Sequence, residues 1–252
     1  MGSLNEPEHL RVTYNDVHNI IKAASKKIAE WKPNLLVAIG EVLSILTLPH
    51  HRLTRISGGG GFFPARVLVG FFSIQRMLPE TSLTSNFFIL LQRTFLKDPA
   101  TKKNIPIFAI GLSLYESLPG TTTEQIGNEV IRTQWLGPEG AKVLLGRRVL
   151  IVDEVDDTRK TLHYAYKELK EDIERETLAL PEDQREAARA DLAIFVVHNK
   201  LKEKAAELPP DLPYFPGQEV PDVWLDYPWE IEDIELHDKL AAEDKLKNKK
   251  AT

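Results

Sequence analysis

The sequence predicts an α/β fold, a central and mainly parallel sheet flanked by helices. Three observations predict it. The short apolar runs at 35–39, 107–113, 148–153 and 192–197 have the near-continuous hydrophobicity of strands buried on both faces. Stretches with helical spacing of apolar residues separate runs of that kind. Strands alternating with helices favour parallel pairing through crossover connections.

Taken in order, Asn15 can cap a first helix carrying Val17, Ile20, Ile21, Ala24 and Ile28, with Pro33 ending it. Leu35-Leu36-Val37-Ala38-Ile39 is then the first strand. Between the third and fourth apolar runs lies a long helix from Thr161 to about Glu176, followed by a second from about Glu182 to Arg189. Residues 205–235 carry Pro209, Pro210, Pro213, Pro216, Pro221 and Pro228 together with Trp224 and Trp229. That composition reads as an irregular cap over a site rather than as part of the sheet. From about Asp238 the chain is rich in lysine and acid, which suits a frayed helix or a disordered end.

The bulk numbers narrow the function. Hydrophobic residues make up 42% and charged residues 27% of 252, an ordinary globular balance able to bury a core. A net charge of -5 argues against non-specific nucleic-acid binding. With no cysteine, disulfides and thiolate chemistry are excluded. Arg76, Pro79 and Glu80 interrupt the apolar stretch 67–95, so it does not read as a membrane span. The polar N-terminus lacks the pattern of a signal peptide, and the cytosol is the expected location.

One segment carries chemistry: Val149-Leu150-Ile151-Val152-Asp153-Glu154-Val155-Asp156-Asp157-Thr158-Arg159-Lys160-Thr161-Leu162. An apolar strand delivers adjacent acids, then a short loop, then a helix start. Asp153 and Glu154 fall at a carboxyl strand end, where open α/β sheets bind ligands, and two acids there can accept hydrogen bonds from neighbouring ribose hydroxyls. The helix start offers N–H groups and a positive dipole end to phosphate, with Thr158 and Thr161 adding hydroxyls. Four carboxylates in five positions repel one another unless cations or hydroxyls compensate.

This segment resembles the signature of type I phosphoribosyltransferases: an apolar strand, two acids, a few residues, then Thr-Gly-x-Thr. Arg159 stands where that pattern has glycine. The likeness to fungal hypoxanthine-guanine phosphoribosyltransferases extends to Trp31-Lys32-Pro33, Ser113-Leu114-Tyr115-Glu116, Arg132-Thr133-Gln134-Trp135 and Val220-Pro221-Asp222. The resemblance implies the type I phosphoribosyltransferase fold in one domain over 1–236. Its core spans about 12–204, its small C-terminal hood about 205–236, and a charged tail occupies 237–252.

The resemblance also implies roles. Asp153 and Glu154 bind the ribose hydroxyls of phosphoribosyl pyrophosphate (PRPP), directly or through Mg²⁺. Asp157 is the general acid/base at the purine and also borders the 5′-phosphate site. Thr158, Arg159, Lys160 and Thr161 wrap that phosphate, mostly through main-chain N–H groups. The Arg159 side chain could add a charge-assisted contact to it. Lys200 bonds the exocyclic oxygen of 6-oxopurines. The stretch Val220–Glu230 resembles the purine cap of bacterial xanthine-guanine enzymes, which implies stacking by Trp224, main-chain contacts from Leu225 and metal coordination by Glu230. Leu114 and Tyr115 open a flexible loop running to about Trp135. The implied reaction turns PRPP and hypoxanthine or guanine, with xanthine as a further candidate, into IMP, GMP or XMP and pyrophosphate, in a homodimer. The rival is a non-catalytic, nucleotide-binding relative that regulates a partner, or an inactive mis-spliced form.

Two segments depart from the family pattern. The pyrophosphate loop expected after the first strand would use Gly40, Gly58, Gly59 and Gly60, yet residues 41–57 intervene. Residues 69–92 are a second excess. Removing both joins Ala-Ile-Gly to glycines and Phe62-Phe63-Pro64-Ala65-Arg66, and Leu68 to Arg93. Codons for Gly40-Glu41 and Val69 can spell splice donors, and those for Leu53-Thr54 and Leu83-Thr84 branch points. Both segments therefore read as translated introns, with two genuine insertions as the alternative; as introns they would leave this chain far less active. They are expected to pack poorly, to expose Phe87 and Phe88, and to part the strand from its glycines.

Overall fold

Thr13, not Asn15, starts the first helix. Its hydroxyl accepts from the Asp16 N–H and the Asp16 carboxylate accepts from the Thr13 N–H, a reciprocal cap that satisfies two end donors. The helix, α1 (Tyr14–Trp31), ends where Lys32 takes a left-handed conformation with φ 58 ahead of Pro33. In this computed structural model the described residues are 8–43, 55–56, 60–69, 98, 105–115, 129–137 and 139–251. Among them no helix is long and apolar enough to cross a membrane.

The strands are β1 (His9–Arg11), β2 (Leu35–Leu43), β3 (Arg55–Ile56), β4 (Ile107–Tyr115), β5 (Glu129–Gln134), β6 (Arg148–Asp156), β7 (Asp191–Lys200), β8 (Tyr214–Val220) and β9 (Trp224–Asp226). Among the described residues the main sheet runs β5-β4-β2-β6-β7-β8, and only β5 on that path is antiparallel to its neighbour. The four apolar runs are thus adjacent parallel strands, as expected. Alternate residues serve two cores. Leu36, Ala38, Leu150, Val152, Phe195 and Val197 meet α1 and α2 (Phe62–Val69) on one face. Val37, Ile39, Val149, Ile151, Ile194 and Val196 meet α3 (Lys160–Leu178) on the other. The short helix α4 (Glu182–Arg185) follows and stops earlier than the sequence suggests.

Three expectations change. Residues 205–235 are not all cap, because β8 joins the sheet beside β7. Its one proline, Pro216, is tolerated at a sheet margin, where a strand needs its N–H groups on one side alone. The hood proper is a two-stranded parallel piece in which β9 pairs with β1, His9 opposite Trp224 and Arg11 opposite Asp226. The charged tail is a docked helix, α5 (Ile234–Ala251). His237 Nε2 lies 3.0 Å from the Val12 carbonyl, Ala241 is buried, and Lys245 and Asp244 pair with Asp16 and Arg11. Finally, the loop expected from Tyr115 to Trp135 is in part the strand β5, which pairs Val130 with Leu114 and Glu129 with Tyr115. Leu114 and Tyr115 end β4, and residues 116–128 lie outside the described residues.

The seam after Gly40 also differs from expectation. β2 continues to Leu43, and β3 runs back along it, pairing Val42 with Ile56 and Leu43 with Arg55. Beyond β3, Gly60 and Gly61 lie against the strand: the Gly61 N–H donates to the Ile39 carbonyl at 2.7 Å. The strand and Gly60 are therefore not parted. The rest of 41–57, together with 70–92 and hence Phe87 and Phe88, lies outside the described residues.

Gly61 fixes how α2 meets β6. A Cβ there would sit 1.8 Å from the Val152 carbonyl oxygen and 2.8 Å from the Asp153 Cα. Gly61→Ala is expected to destabilise the fold by at least about 1–3 kcal/mol through overpacking. Urea unfolding measures this, and an unchanged midpoint would show that α2 is free to shift.

Candidate active site

The carboxyl end of β6 places its acids where the central strands stop and α3 begins. A cavity of about 370 Å³ opens there, bordered by Gly40, Gly60, Leu112, the stretch Asp153 to Arg159, Thr161 and Trp224. Sequence reasoning had placed most of these in one site. Gly58 and Gly59 lie outside the described residues. Gly60, at φ +64, is packed so tightly that a Cβ would fall 2.8 Å from the Ile39 carbonyl and 3.3 Å from the Gly40 Cα. Only glycine fits that turn without strain.

The loop after β6 is fixed from its carbonyl side. Lys204 donates its ammonium to the carbonyls of Asp156, Asp157 and Lys200 at 2.7, 2.9 and 2.8 Å. The Ala205 N–H donates to the Thr158 carbonyl at 3.0 Å. Thr158 and Arg159 then lead into α3, whose first N–H groups have no intrahelical acceptors. Free N–H groups at a helix start are a geometry suited to an anion.

Arg159 occupies the glycine position with φ 70 and ψ -2, a conformation costing a residue with a side chain about 1–2 kcal/mol. Its guanidinium points back at Asp156. Nε and one terminal nitrogen both donate to Asp156 Oδ2, at 2.9 and 2.8 Å. Tyr214 donates its hydroxyl to the same oxygen at 2.8 Å, and Lys204 lies 3.5 Å from Oδ1. Asp156 is fully buried. Burial works to lower the Arg159 pKa, but the Asp156 hydrogen bonds and charge prevail and raise it.

Asp157 is held differently. Lys200, at the end of β7, donates to Oδ2 at 3.1 Å, and Lys202 pairs with Oδ1 at 3.0 Å. Lys202 also reaches Asp222 at 3.0 Å, tying the pair to the hood. Partial burial pushes the Asp157 pKa up, but the hydrogen bonds from Lys202 and Lys200 and their charges outweigh it, so it sits below the usual carboxylate range. This is an ionised carboxylate between two ammonium groups at the cavity edge.

In the hood, Trp224 is 58% exposed and faces the cavity, whereas Leu225 is buried against the core beside it. Trp229 does not share that role. It stacks on Tyr227 at 4.5 Å and packs on Phe63. The Arg132-Thr133-Gln134-Trp135 motif also lies away from the cavity lining. Arg132 lies over Trp135, whose indole N–H donates to Asp172 of α3 at 2.7 Å.

No protein-family model matches the chain. It is 41% identical over 244 residues to a hypoxanthine-guanine phosphoribosyltransferase of Schizosaccharomyces pombe, covering 94% of this chain and 96% of that protein. It is 39% identical over 247 residues to xanthine phosphoribosyltransferase 1 of Saccharomyces cerevisiae, covering 94% and 96%. The chain belongs to the purine phosphoribosyltransferase family. Among solved structures, a Neisseria gonorrhoeae protein with bound ppGpp shares the fold at a TM-score of 0.61 and 30% identity, over 95% of this chain and 99% of that one.

For a phosphoribosyltransferase the acidic pair matters next. Asp153 is pushed well above the carboxylate range, first by burial and then by the charge of Glu154 beside it. A cation there would relieve both effects, so the donors fit one. Among the described residues, however, no three acidic or histidine side chains converge as a metal cluster, so Asp153, Glu154 and Glu230 do not form a closed site. Mg²⁺ commonly binds through one or two carboxylates plus substrate oxygens and water, which suits an open pair. Glu230 adds its charge to those of Glu154 and Asp153 around the Tyr227 hydroxyl, whose pKa is raised mainly by burial.

Sequence reasoning missed the partners of these acids: Lys202, Lys204, Tyr214 and Tyr227. The signal for the lysines was their spacing, since Lys200, Lys202 and Lys204 follow one strand at intervals of two. Tyr227 donates its hydroxyl to the Glu154 carbonyl at 2.9 Å. That hydroxyl has one proton, so it must accept from His198, 2.8 Å away, and His198 Nδ1 carries the hydrogen.

Burial lowers the His198 pKa to about 4, although the Asp16 charge opposes this. A neutral folded histidine contributes stability that is fully present above the unfolded value and is lost as pH falls. Between pH 6.5 and about 4 the fold should lose roughly 3 kcal/mol from this group. His198→Gln should flatten that part of a stability-against-pH curve measured by denaturant unfolding. An unchanged slope would remove the buried, neutral histidine from the account.

Proposed function

We propose that this chain transfers the phosphoribosyl group of PRPP to hypoxanthine or guanine, with xanthine as a further substrate, releasing pyrophosphate. The observation that carries the reading is the ionised Asp157, held between Lys200 and Lys202 at a cavity bordered by the signature loop and Trp224. The family relatives named for these purines support it. A homodimer in the cytosol completes the reading by family resemblance.

In the proposed reaction the bond from the sugar carbon to pyrophosphate breaks as a bond to a purine ring nitrogen forms. The nitrogen's proton passes to Asp157. The sugar becomes cation-like in between, as in glycoside cleavage. Trp224 stacks on the base, with Leu225 offering main-chain contacts beside it. Lys200 swings from Asp157 to the exocyclic oxygen. That exchange removes one of the two cations from Asp157 and makes it a better base once a 6-oxopurine is bound. Adenine presents a donor at that place and cannot draw Lys200 away.

Asp153 and Glu154 hold the ribose hydroxyls, with Thr158, Lys160 and Thr161 around the 5′-phosphate. Gly40 and Gly60 let the backbone approach the pyrophosphate, with Gly58 and Gly59 assigned to the same loop. Leu114 and Tyr115 lead into the segment that closes over the site and excludes water. Mg²⁺, held by Asp153 and Glu154 with Glu230 nearby, would neutralise the leaving pyrophosphate.

The test is pyrophosphate release from PRPP with each purine. Hypoxanthine and guanine should turn over and adenine should be poorest. Asp157→Asn should lower turnover by on the order of 10²–10⁴-fold. Lys200→Ala should weaken use of 6-oxopurines and leave PRPP affinity nearly intact. Adenine as the best substrate, or full activity without Asp157, would refute the reading. A chain lacking 41–57 and 69–92 belongs in the same assay. Because β3 returns the chain to Gly60, the full chain should stay within about tenfold of it, since a misplacement near 1 Å would cost about 10²-fold. A much larger gap would favour the intron reading.

A further inference from the structure

Resting on the assignment of Thr158–Thr161 to the 5′-phosphate, we propose that Arg159 is a positioning residue that sets the phosphate cradle through Asp156, not a ligand of the phosphate. Two features of the loop depart together from a plain glycine turn. Arg159 takes a left-handed backbone that side chains rarely adopt, and Asp156 puts a carboxylate into a fully buried place. Each supplies what the other lacks. The guanidinium grips one carboxylate oxygen with two nitrogens, so the side chain can lie in one direction only, and that direction fixes the backbone turn from which α3 starts.

The grip also has a platform. The Arg159 guanidinium carbon lies 5.3 Å from the centre of the Tyr214 ring, and the Tyr214 hydroxyl donates to the same Asp156 oxygen. Tyr214 begins β8, at the margin of the sheet. Lys204 closes the remaining side, near Asp156 Oδ1 and on the carbonyls of Asp156 and Asp157. The turn is therefore braced from β6, β8 and the segment after β7. With Nε and one terminal nitrogen turned to Asp156, the guanidinium is aimed at the carboxylate, and the first-turn N–H groups bind the anion instead.

The test is calorimetric binding of IMP and of inosine, which differ by the phosphate alone, so that turnover does not enter. The unaltered chain should bind IMP far more tightly than inosine. Equal binding would sink the cradle assignment itself, separately from the claim about Arg159. Arg159→Gly relieves the backbone but removes the grip, and should weaken IMP by on the order of 10–100-fold while inosine stays within about twofold. Asp156→Asn, which leaves the arginine in place but unanchored, should weaken IMP by a similar factor, and the double variant should fall no further.

If Arg159→Gly weakens IMP and Asp156→Asn does not, the arginine contacts phosphate directly and the proposal fails. Unchanged IMP binding in Arg159→Gly would show that the residue merely tolerates the turn, and the proposal fails again. Arg159→Lys keeps the charge without the two-nitrogen grip and should give an intermediate loss. Should the glycine variant not fold, the lysine and asparagine variants decide the matter by the same criterion.

Discussion

Charge repulsion at the end of β6 is the constraint around which this site is organised. Asp153, Glu154, Asp156 and Asp157 lie within five residues of a central strand, two of them buried. Like charges that close raise one another's pKa values and disfavour the fold unless each finds a counter-charge or a donor. The protein separates them. Asp156 is given entirely to structure, with Arg159, Tyr214 and Lys204 around it. Asp157 is held ionised by two lysines at the cavity edge. Asp153 and Glu154 lie side by side, and burial together with the Glu154 charge raises the Asp153 carboxyl, which a cation or a pair of hydroxyls would relieve.

The sheet makes that division possible. Parallel order puts the ends of β6 and β7 side by side, with Asp156 opposite Asn199, so lysines at and beyond the end of β7 reach acids at and beyond the end of β6. β2 lies on the other side of β6 and brings Gly40 to the same edge. The hood then closes from two ends of the chain at once. β1 pairs with β9, α5 buttresses β1, and Tyr227 hydrogen-bonds the Glu154 carbonyl from above while leaning on His198. Trp224 is in this way carried to the cavity by residues more than 200 positions apart.

Much of this was legible in the sequence because it is local. The four apolar runs gave the parallel core, and the stretch Asp153 to Thr161 named its own site through strand end, acids and helix start. What was not legible is long-range. Nothing near Tyr214 says that its hydroxyl meets Asp156, and nothing in Asp244 says that it meets Arg11. The prolines around β8 read as irregular because their cost depends on whether a strand is central or marginal, which only topology decides. The charged tail read as frayed because its partners, Arg11, Val12 and Asp16, lie at the opposite end of the chain. The excess residues after Gly40 suggested that the strand and its glycines are parted, and the pairing of Val42 with Ile56, which runs the chain back along β2, has no signature in composition.

The division of the acids is most directly tested by PRPP binding in the presence of Mg²⁺, measured calorimetrically for the unaltered chain and for Glu154→Gln. If the Asp153–Glu154 pair is the part of the acidic run kept for ligand, the substitution should weaken PRPP binding by at least about tenfold and reduce its dependence on Mg²⁺. Unchanged affinity and unchanged Mg²⁺ dependence would contradict the account, because the repulsion at the end of β6 would then serve no ligand.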